Sequence, residues 1–334
     1  MNLSDFDYSL PEELIAQYPC AARDEARLLV VDRASGDIWH DTFRYVGKYL
    51  PSQSFIVVNN SRVIHARLLG EKARSGGKVE VFLLKQIDAL HFEAMLKPLK
   101  KIHEGDVLEF PGGVRCSLAD REKRIVRFET PDILKALQKV GHIPLPPYIK
   151  RSDEASDDVN YQTVYARRDG SVAAPTAGLH FTDELMASLK AQGHSFHEVT
   201  LHVNYGTFKP VEVEDITTHP MHFEEYVVPD DVAMDLSAAR KAGRKVAAVG
   251  TTSCRTLESF ARSGKREGAT NLFLYPGAEF KAVDTLITNF HLPKSTLLML
   301  VSAFAGTDLI RRAYAQAIRE KYRFYSYGDA MIIL

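Results

Sequence analysis

The chain has 334 residues, 45% of them hydrophobic, which predicts about two domains with sizeable cores. Its 42 basic and 43 acidic residues give a formal net charge of −1, which excludes a protein that holds nucleic acid through its overall charge. The cysteines Cys20, Cys116 and Cys254 form no CxxC pair, and the sequence contains no signal peptide or membrane-spanning run. We therefore expect a cytoplasmic protein that neither enters a membrane nor carries a thiolate zinc site.

The first half of the sequence predicts a small β domain inserted into a larger one. Residues 54–58 (SFIVV) are typical of a buried strand, and from about Val63 short strand patterns alternate with the turn signals SGG, EGD, PGG and ADREK. This alternation predicts a small antiparallel barrel or sandwich, followed by a proline-rich segment at 141–150 that suits a stiff hinge. We assign residues 63–151 to this inserted domain, and residues 1–62 and 152–334 to the main domain.

Residues 170–182 (GSVAAPTAGLHFT) predict a loop whose backbone can approach a ligand closely, because glycine, alanine and threonine dominate it. Thr182 has the position of an N-cap for a helix that runs to about Gln192. His180 stands just before that cap, where its imidazole can face whatever the loop holds. The alternative is a tight connection with a satisfied structural histidine.

After about residue 160, strand and helix patterns alternate, which predicts an α/β domain. Polar, turn-rich blocks follow several of its strands. His202 lies near the end of an alternating strand, and residues 250–258 (GTTSCRTLE) open a helix directly after an apolar strand. The block at 288–293 (TNFHLP) follows the strand pattern DTLI, and the block at 322–333 (YRFYSYGDAMII) brings three tyrosines, Gly328 and Asp329 to the C-terminus. Because ligands bind at the carboxyl ends of strands in α/β sheets, we expect these blocks to surround one site.

Together with residues 6–19 (FDYSLPEELIAQYP), 57–68 (VVNNSRVIHARL) and 160–166 (NYQTVYA), these blocks resemble the S-adenosylmethionine:tRNA ribosyltransferase-isomerases, a family of queuosine biosynthesis enzymes. The resemblance extends from Asp5 to Asp329 and is weakest over residues 70–150. One departure is the pair Asn204-Tyr205, where the family usually has glycine after His-Val. Because asparagine tolerates left-handed backbone, we expect the turn to be kept.

The resemblance implies both a fold and a reaction. The implied fold is a barrel-like α/β main domain with an inserted small antiparallel β-barrel domain. In the implied reaction, S-adenosylmethionine is consumed as a ribosyl donor. Its ribosyl moiety is transferred to the aminomethyl group of 7-aminomethyl-7-deazaguanine in tRNA and isomerised, which gives epoxyqueuosine-tRNA, adenine and methionine. Such a reaction needs a base, a proton donor for the departing adenine and hydrogen-bond donors for the ribose oxygens.

His180 and His202 are the catalytic candidates, because neutral imidazoles near pH 7 suit proton transfer; histidines bonded to turn carbonyls are the alternative. Arg255 has the chemistry to pair with the methionine carboxylate of the cofactor, or to bond Glu258 on the next turn of its helix. The predicted cofactor-binding residues are Thr176, Gly178, Thr251, Thr252, Arg255, Asn289, His291, Tyr327 and Asp329.

A metal site is the alternative use of residues 219–226 (HPMHFEEY), because His219 and His222 with Glu224 supply zinc-type ligands. Pro220, however, interrupts the helix that would aim both imidazoles at one ion. The implied reaction requires no metal, so we predict none.

The implied partner is the anticodon loop of a tRNA that carries 7-aminomethyl-7-deazaguanine, bound by a monomer. Short basic clusters on the inserted domain and hinge can contact its phosphates, although such clusters are often only solvated turns. The clusters are Lys97, Lys100 and Lys101; Arg121, Lys123, Arg124 and Arg127; and Lys150 and Arg151.

Two other classes of protein compete with this interpretation. A Rossmann-type methyltransferase would need a glycine-rich turn after its first strand, which residues 54–63 (SFIVVNNSRV) lack. A non-catalytic RNA-binding protein would leave the polar loops of the α/β domain unexplained. The products formed from S-adenosylmethionine discriminate the three classes.

Overall fold

The computed structural model of the protein describes residues 1–204 and 211–334. Its N-terminal part supplies the strands β1 (Arg27–Val31), β2 (Ile38–Thr42), β3 (Phe55–Asn59) and β4 (Ser61–Val63). The next six strands are β5 (Arg67–Lys72), β6 (Lys78–Gln86), β7 (His91–Lys97), β8 (Val107–Glu109), β9 (Arg115–Asp120) and β10 (Ile125–Phe128). They are followed by the helices α1 (Ile133–Val140) and α2 (Asp157–Asn160).

Strands and helices alternate through most of the remaining chain. Its strands are β11 (Arg168–Ser171), β12 (Ser195–Leu201), β13 (Glu224–Val227), β14 (Val246–Val249), β15 (Glu267–Thr270), β16 (Thr285–Asn289) and β17 (Ala330–Ile333). Its helices are α3 (Asp183–Ala191), α4 (Asp230–Lys241), α5 (Gly250–Ser263), α6 (Thr296–Ala305) and α7 (Thr307–Arg319).

Strands β5 to β10 form a closed antiparallel barrel in the order β10-β7-β6-β5-β8-β9. Its interior is filled by alternate side chains of the strands, including Phe92 and Phe128, whose rings meet edge to face at 5.7 Å. Helix α1 follows the last barrel strand and buries Ile133 and Leu137 in the same core. The inserted domain therefore has a hydrophobic core of its own.

The main domain is built on a nine-stranded mixed sheet with the order β15-β13-β12-β3-β14-β16-β17-β1-β2. Its four middle strands, β12, β3, β14 and β16, are parallel. Strand β3 is buried on both faces: Phe55 and Val57 belong to one core, whereas Ile56 and Val58 belong to the core on the opposite face. This explains why its sequence is an unbroken apolar run, as in parallel sheets that are covered on both sides.

Helix α5 begins directly where strand β14 ends, so its N-terminus lies at the carboxyl edge of the parallel strands. The turn is made by Gly250, whose φ of 86° lies in the left-handed region that side chains other than glycine rarely adopt. Helix α3 is capped by the Thr182 hydroxyl, which accepts a hydrogen bond from the Leu185 amide. These two helix starts flank residues 172–181, where the structure has a short 3-10 helix at Thr176–His180 within the predicted loop.

The predicted fold class, an α/β main domain with an inserted small antiparallel β-barrel, is confirmed by the barrel and the mixed sheet. The Thr182 cap is also confirmed, and the strand predicted at 54–58 spans Phe55–Asn59. The barrel strands lie within the predicted insert, whose boundaries at 63 and 151 remain a prediction. None of the helices in the described ranges is long and apolar enough to cross a membrane.

Candidate active site

A cavity opens at the carboxyl ends of the parallel strands β14 and β16, and we call it the sheet-edge cavity. Four of the polar blocks singled out in the sequence contribute to its wall. Two of them, at 250–258 and 288–293, meet there because β14 and β16 are parallel neighbours. Its lining residues are Tyr148, Ala173, Ala174, Pro175, Thr176, Ala177, Val203, Gly250, Thr251, Thr252, Thr288, Asn289, Phe290, His291, Leu292, Leu297, Tyr325 and Ser326.

A hydrogen-bonded chain fixes the polar groups on one side of this cavity. The Thr176 hydroxyl donates to Asn289 Oδ1 at 3.0 Å, and Asn289 Nδ2 lies 3.1 Å from His180 Nε2. Because an amide nitrogen only donates, His180 Nε2 is the acceptor and its other ring nitrogen carries the proton. Thr176 and Asn289 line the cavity, whereas His180 lies behind Asn289 and packs against the Phe43 ring at 5.0 Å.

Burial sets the charge state of two of the predicted histidines. It lowers the pKa of His180 to about 4, and a hydrogen bond with the Arg23 backbone offsets only part of this shift. Burial also lowers the pKa of His291, which contacts Thr288 Oγ1 at 2.8 Å, to about 3. Both imidazoles are therefore neutral at pH 7, and His180 accepts its hydrogen bond from Asn289 behind the cavity wall.

This burial predicts that the protein loses stability in acid. Between pH 6.5 and about 4, His180 is protonated in the unfolded chain but neutral in the folded protein. The free energy of unfolding therefore falls by up to about 1.4 kcal/mol for each unit by which the pH decreases in this range. Urea unfolding at pH 7 and pH 5 measures this slope. His180→Gln, which keeps an acceptor but does not titrate, should make the slope shallower, whereas His222→Gln at an exposed position should not. An unchanged slope in His180→Gln would contradict a buried neutral imidazole.

His202 does not line the sheet-edge cavity, although its neighbour Val203 does. Its ring lies over Gly170, where a Cβ atom would approach the ring to 3.0 Å. Its Nδ1 atom is buried and has no hydrogen-bond partner among the described residues. Burial lowers the pKa of His202, while the carboxylates of Glu225 and Asp169 act in the opposite direction.

The N-terminus of α5 forms another side of the cavity. Thr251 and Thr252 line it, and the first amides of a helix have no partner within the helix. The buried hydroxyls of Thr252 and Ser253 also have no partner among residues 1–204 and 211–334. Unpaired donors at a helix N-terminus suit a negatively charged group.

Arg255, on the first turns of α5, does not bond Glu258, the protein partner considered from the sequence. It forms a buried ion pair with Glu224 of β13, at 5% and 3% relative exposure. The alternative pairing with Glu258 is wrong, because Glu258 pairs with Arg262 and accepts hydrogen bonds from the backbone amides of residues 281–283. The Nε and Nη2 atoms of Arg255 have no partner in the described part of the chain.

Three other cofactor-binding candidates lie outside the cavity wall. The Tyr327 hydroxyl donates to Asp157 at 2.7 Å, and Asp329 accepts from the backbone amides of Arg27 and Arg323 at 3.0 and 2.7 Å. At Gly178, an added Cβ would lie 1.9 Å from the Tyr165 hydroxyl, so this glycine is needed for packing. All three residues have structural contacts that explain their identity.

The cavity contains an aromatic pair that joins Tyr325, from the block at 322–333, with Tyr148, which the sequence analysis missed. Tyr148 belongs to the proline-rich segment, which was interpreted only as a hinge, and its ring lies 4.7 Å from the ring of Tyr325. The Tyr148 hydroxyl contacts Ser326 Oγ at 2.6 Å. Tyr325 has a φ of 70°, an uncommon conformation for a bulky residue, and such outliers cluster at functional sites. The signal in the sequence was Tyr148 itself, the one aromatic residue in the segment.

The departure at Asn204-Tyr205 falls at the border of the described residues. The Asn204 amide donates to Glu224 Oε1 at 3.3 Å, and its side chain donates to the Phe223 carbonyl at 3.0 Å. Tyr205 lies outside the described residues. Within the described ranges, no group of three or more histidine, cysteine, aspartate or glutamate side chains is placed to hold a metal ion.

Comparisons with known proteins agree with this architecture. A family model for queuosine biosynthesis proteins matches residues 3–333. Proteins named S-adenosylmethionine:tRNA ribosyltransferase-isomerase from Symbiobacterium thermophilum and Sulfurihydrogenibium sp. are 52% and 50% identical, and each match covers 100% of both chains. The crystal structure of S-adenosylmethionine tRNA ribosyltransferase from Thermotoga maritima matches with a TM-score of 0.58 and 37% identity, over 99% of this chain and 100% of that chain. The chain thus belongs to the family of queuosine biosynthesis proteins, as its sequence blocks predicted.

Proposed function

We propose that this enzyme transfers the ribosyl moiety of S-adenosylmethionine to the aminomethyl group of 7-aminomethyl-7-deazaguanine in tRNA and isomerises it, with release of adenine and methionine. The family membership supports the class of reaction. The observation that carries the proposal is the fixed chain Thr176–Asn289–His180 in the wall of the sheet-edge cavity. The chain leaves the second N–H of Asn289 as an oriented donor in a cavity that Tyr148, Phe290 and Tyr325 help to line.

The chemistry of the cavity suggests how S-adenosylmethionine binds. The paired rings of Tyr148 and Tyr325 suit the sulfonium, because a cation over an aromatic face gains roughly 0.5 to 2 kcal/mol. The amides and hydroxyls of Thr251 and Thr252 at the start of α5 suit the methionine carboxylate. Asn289 is then available for the ribose oxygens or the adenine.

Proton transfer needs a group with an unsatisfied nitrogen near the substrate. His180 has both ring nitrogens bonded, so we assign it the task of holding Asn289. His202 stays the candidate base: it lies outside the cavity lining but next to Val203, which lines the cavity, and its Nδ1 atom has no partner among the described residues.

The products of S-adenosylmethionine test the reaction. Incubation of the protein with labelled S-adenosylmethionine and tRNA that carries the aminomethyl base should release adenine and methionine in step with tRNA modification. S-Adenosylhomocysteine would mark a methyltransferase instead. Adenine release at full rate without tRNA would contradict the proposed transfer, because the attacking amine belongs to the tRNA.

The basic turns of the barrel suit the phosphates of the tRNA. Lys97, Lys100 and Lys101 are exposed around the end of β7, whereas Arg151 of the hinge cluster is committed to the buried carboxylate of Asp157. Replacement of the three lysines by alanine should weaken tRNA binding and reduce the slope of log affinity against log salt by about 0.7 to 0.9 for each lost phosphate contact. Fluorescence anisotropy over a salt series measures the slope. The affinity for S-adenosylmethionine should not change, and an unchanged slope would move the RNA surface off these lysines.

A further inference from the structure

His291 was predicted to bind the cofactor, and it lines the sheet-edge cavity. Of the described lining residues it alone has an imidazole, and none of them is a lysine, arginine, aspartate or glutamate. Burial raises the pKa of Tyr148 and of Tyr325, so neither hydroxyl ionises at pH 7. What this wall offers to a nitrogen base therefore depends on the two ring nitrogens of His291.

A single hydrogen bond decides which ring nitrogen of His291 carries the proton. Its Nε2 atom lies 2.8 Å from the Thr288 hydroxyl, which is buried and has no other hydrogen-bond partner in the described ranges. If Nε2–H donated to this hydroxyl, the Thr288 O–H would be left buried without an acceptor, which is costly. Thr288 therefore donates to Nε2, and because burial keeps the ring neutral, Nδ1 carries the proton.

The Nδ1–H group of His291 is accessible from the cavity. His291 is 7% exposed, and its Nδ1 atom has no hydrogen-bond partner among residues 1–204 and 211–334. The atom is nevertheless not fully enclosed by the protein, and because His291 lines the cavity, its accessible surface opens there. A ligand in the cavity can therefore reach this donor.

Two tyrosines hold the backbone of His291. Its amide donates to the Tyr314 hydroxyl of α7 at 2.9 Å, and its carbonyl accepts from the Tyr8 hydroxyl. The two tyrosine rings meet edge to face, with their centroids 5.2 Å apart. Because the backbone and Nε2 are both held, the Nδ1–H bond has one direction. Such a fixed donor needs no reorganisation when negative charge develops in front of it.

The surroundings of His291 suit a purine base better than a ribose. Leu292 and Leu297, both half-buried, line the same cavity and can cover the face of an aromatic ring. The polar pair Thr176–Asn289, by contrast, suits the hydroxyls of a ribose. Adenine presents its ring nitrogens N3 and N7 as acceptors, and both gain negative charge when the bond between N9 and the ribose breaks.

We propose that His291 is the catalytic hydrogen-bond donor to the departing adenine, whose N3 or N7 atom accepts from Nδ1–H. When the bond between N9 and the ribose breaks, its electron pair stays on adenine, and the hydrogen bond strengthens as this charge grows. The released base takes up one proton from solvent, and His291 stays neutral throughout. The proposal rests on the proposed function, because it takes the leaving group from it.

The test compares S-adenosylmethionine with two analogues, in which a C–H group replaces N3 or N7 of adenine. With substrate tRNA, His291→Leu should slow the single-turnover release of adenine by about 100- to 1,000-fold. It should slow the release of one of the two deaza bases far less, because that base has already lost the contact. The loss should appear in kcat more than in KM, since the bond strengthens in the transition state. His291→Asn, which keeps an N–H near the position of Nδ1, should recover part of the rate.

His91→Leu, which removes an imidazole from a turn of the barrel, is the matched control and should release all three bases at the parent rate. His291→Leu also leaves the Thr288 hydroxyl without its partner, so the double variant His291→Leu/Thr288→Val repeats the comparison if the single variant does not fold. Parent-like release of adenine by the variant would overturn the proposal. An equal loss for adenine and both deaza bases would also overturn it, because no ring nitrogen would then depend on His291.

Release of adenine by the parent protein tests the proposed function by itself. A parent that releases no adenine from S-adenosylmethionine and substrate tRNA would refute that function, and the role of His291 with it. A parent that releases adenine, together with a His291→Leu variant that does not distinguish the three bases, would overturn only the role of His291.

Discussion

Replacing Asn289 by alanine should lower the single-turnover rate of ribosyl transfer by about 100- to 1,000-fold, the typical loss when one fixed hydrogen-bond donor is removed from a reaction site. Asn289 is 3% exposed and faces the sheet-edge cavity. Thr176 and His180 hold opposite ends of its amide, so the second N–H of Nδ2 has one direction. Rapid-quench measurement of adenine, with S-adenosylmethionine and substrate tRNA at saturation, gives the rate.

A double-mutant cycle shows whether His180 only positions Asn289 or acts on the substrate itself. His180→Ala should lower the rate nearly as much as Asn289→Ala, and the double variant should be little slower than either, because His180 acts through Asn289. His180→Gln, which retains an acceptor, should restore part of the rate. Asn271→Ala removes an exposed asparagine and serves as the control. If the double variant lost as much rate as the two single variants combined, His180 would have a function of its own.

The parts of the site that follow from strand order could be predicted from sequence. Residues 250–258 follow β14, and residues 288–293 begin in the last two residues of β16. Because these strands are parallel neighbours, the segments that leave their carboxyl ends must meet. The N-cap at Thr182 is a local property of backbone donors and could also be predicted. Such predictions need only the order of elements and the chemistry of neighbouring residues.

The partners of individual side chains could not be predicted, because they are distant in sequence. Tyr327 was expected at the cofactor, but its hydroxyl bonds Asp157, 170 residues away. Arg255 was matched to Glu258 by helical spacing, whereas the structure pairs it with Glu224 of another strand. Tyr148 reaches the cavity because the proline-rich segment packs on the main domain, where Gln17 bonds the Tyr148 carbonyl at 3.0 Å. The hydrophobic periodicity of a sequence carries no information on contacts between residues that are far apart in the chain.

The pair Arg255–Glu224 leads to the prediction with the largest effect on stability. Arg255→Leu should lower the free energy of unfolding by about 3 to 5 kcal/mol, because it removes the Arg255 guanidinium from the buried Glu224 carboxylate. The double variant Arg255→Leu/Glu224→Leu should recover most of this loss, since neither charge then remains. Urea unfolding, followed by circular dichroism, measures the difference.

Arg319→Leu, which removes an arginine that is 72% exposed, should change stability by less than about 1 kcal/mol and serves as the control.

The alternative role of Arg255 is to bind the methionine carboxylate of S-adenosylmethionine, which predicts a loss of substrate affinity instead of a loss of stability. The Arg255→Leu variant would then fold like the parent but need far more S-adenosylmethionine for half-maximal rate. Because Arg255 Nε and Nη2 have no partner among the described residues, the two measurements together decide whether this arginine stabilises the sheet or binds substrate. A stability loss that the double variant reverses assigns it to the sheet.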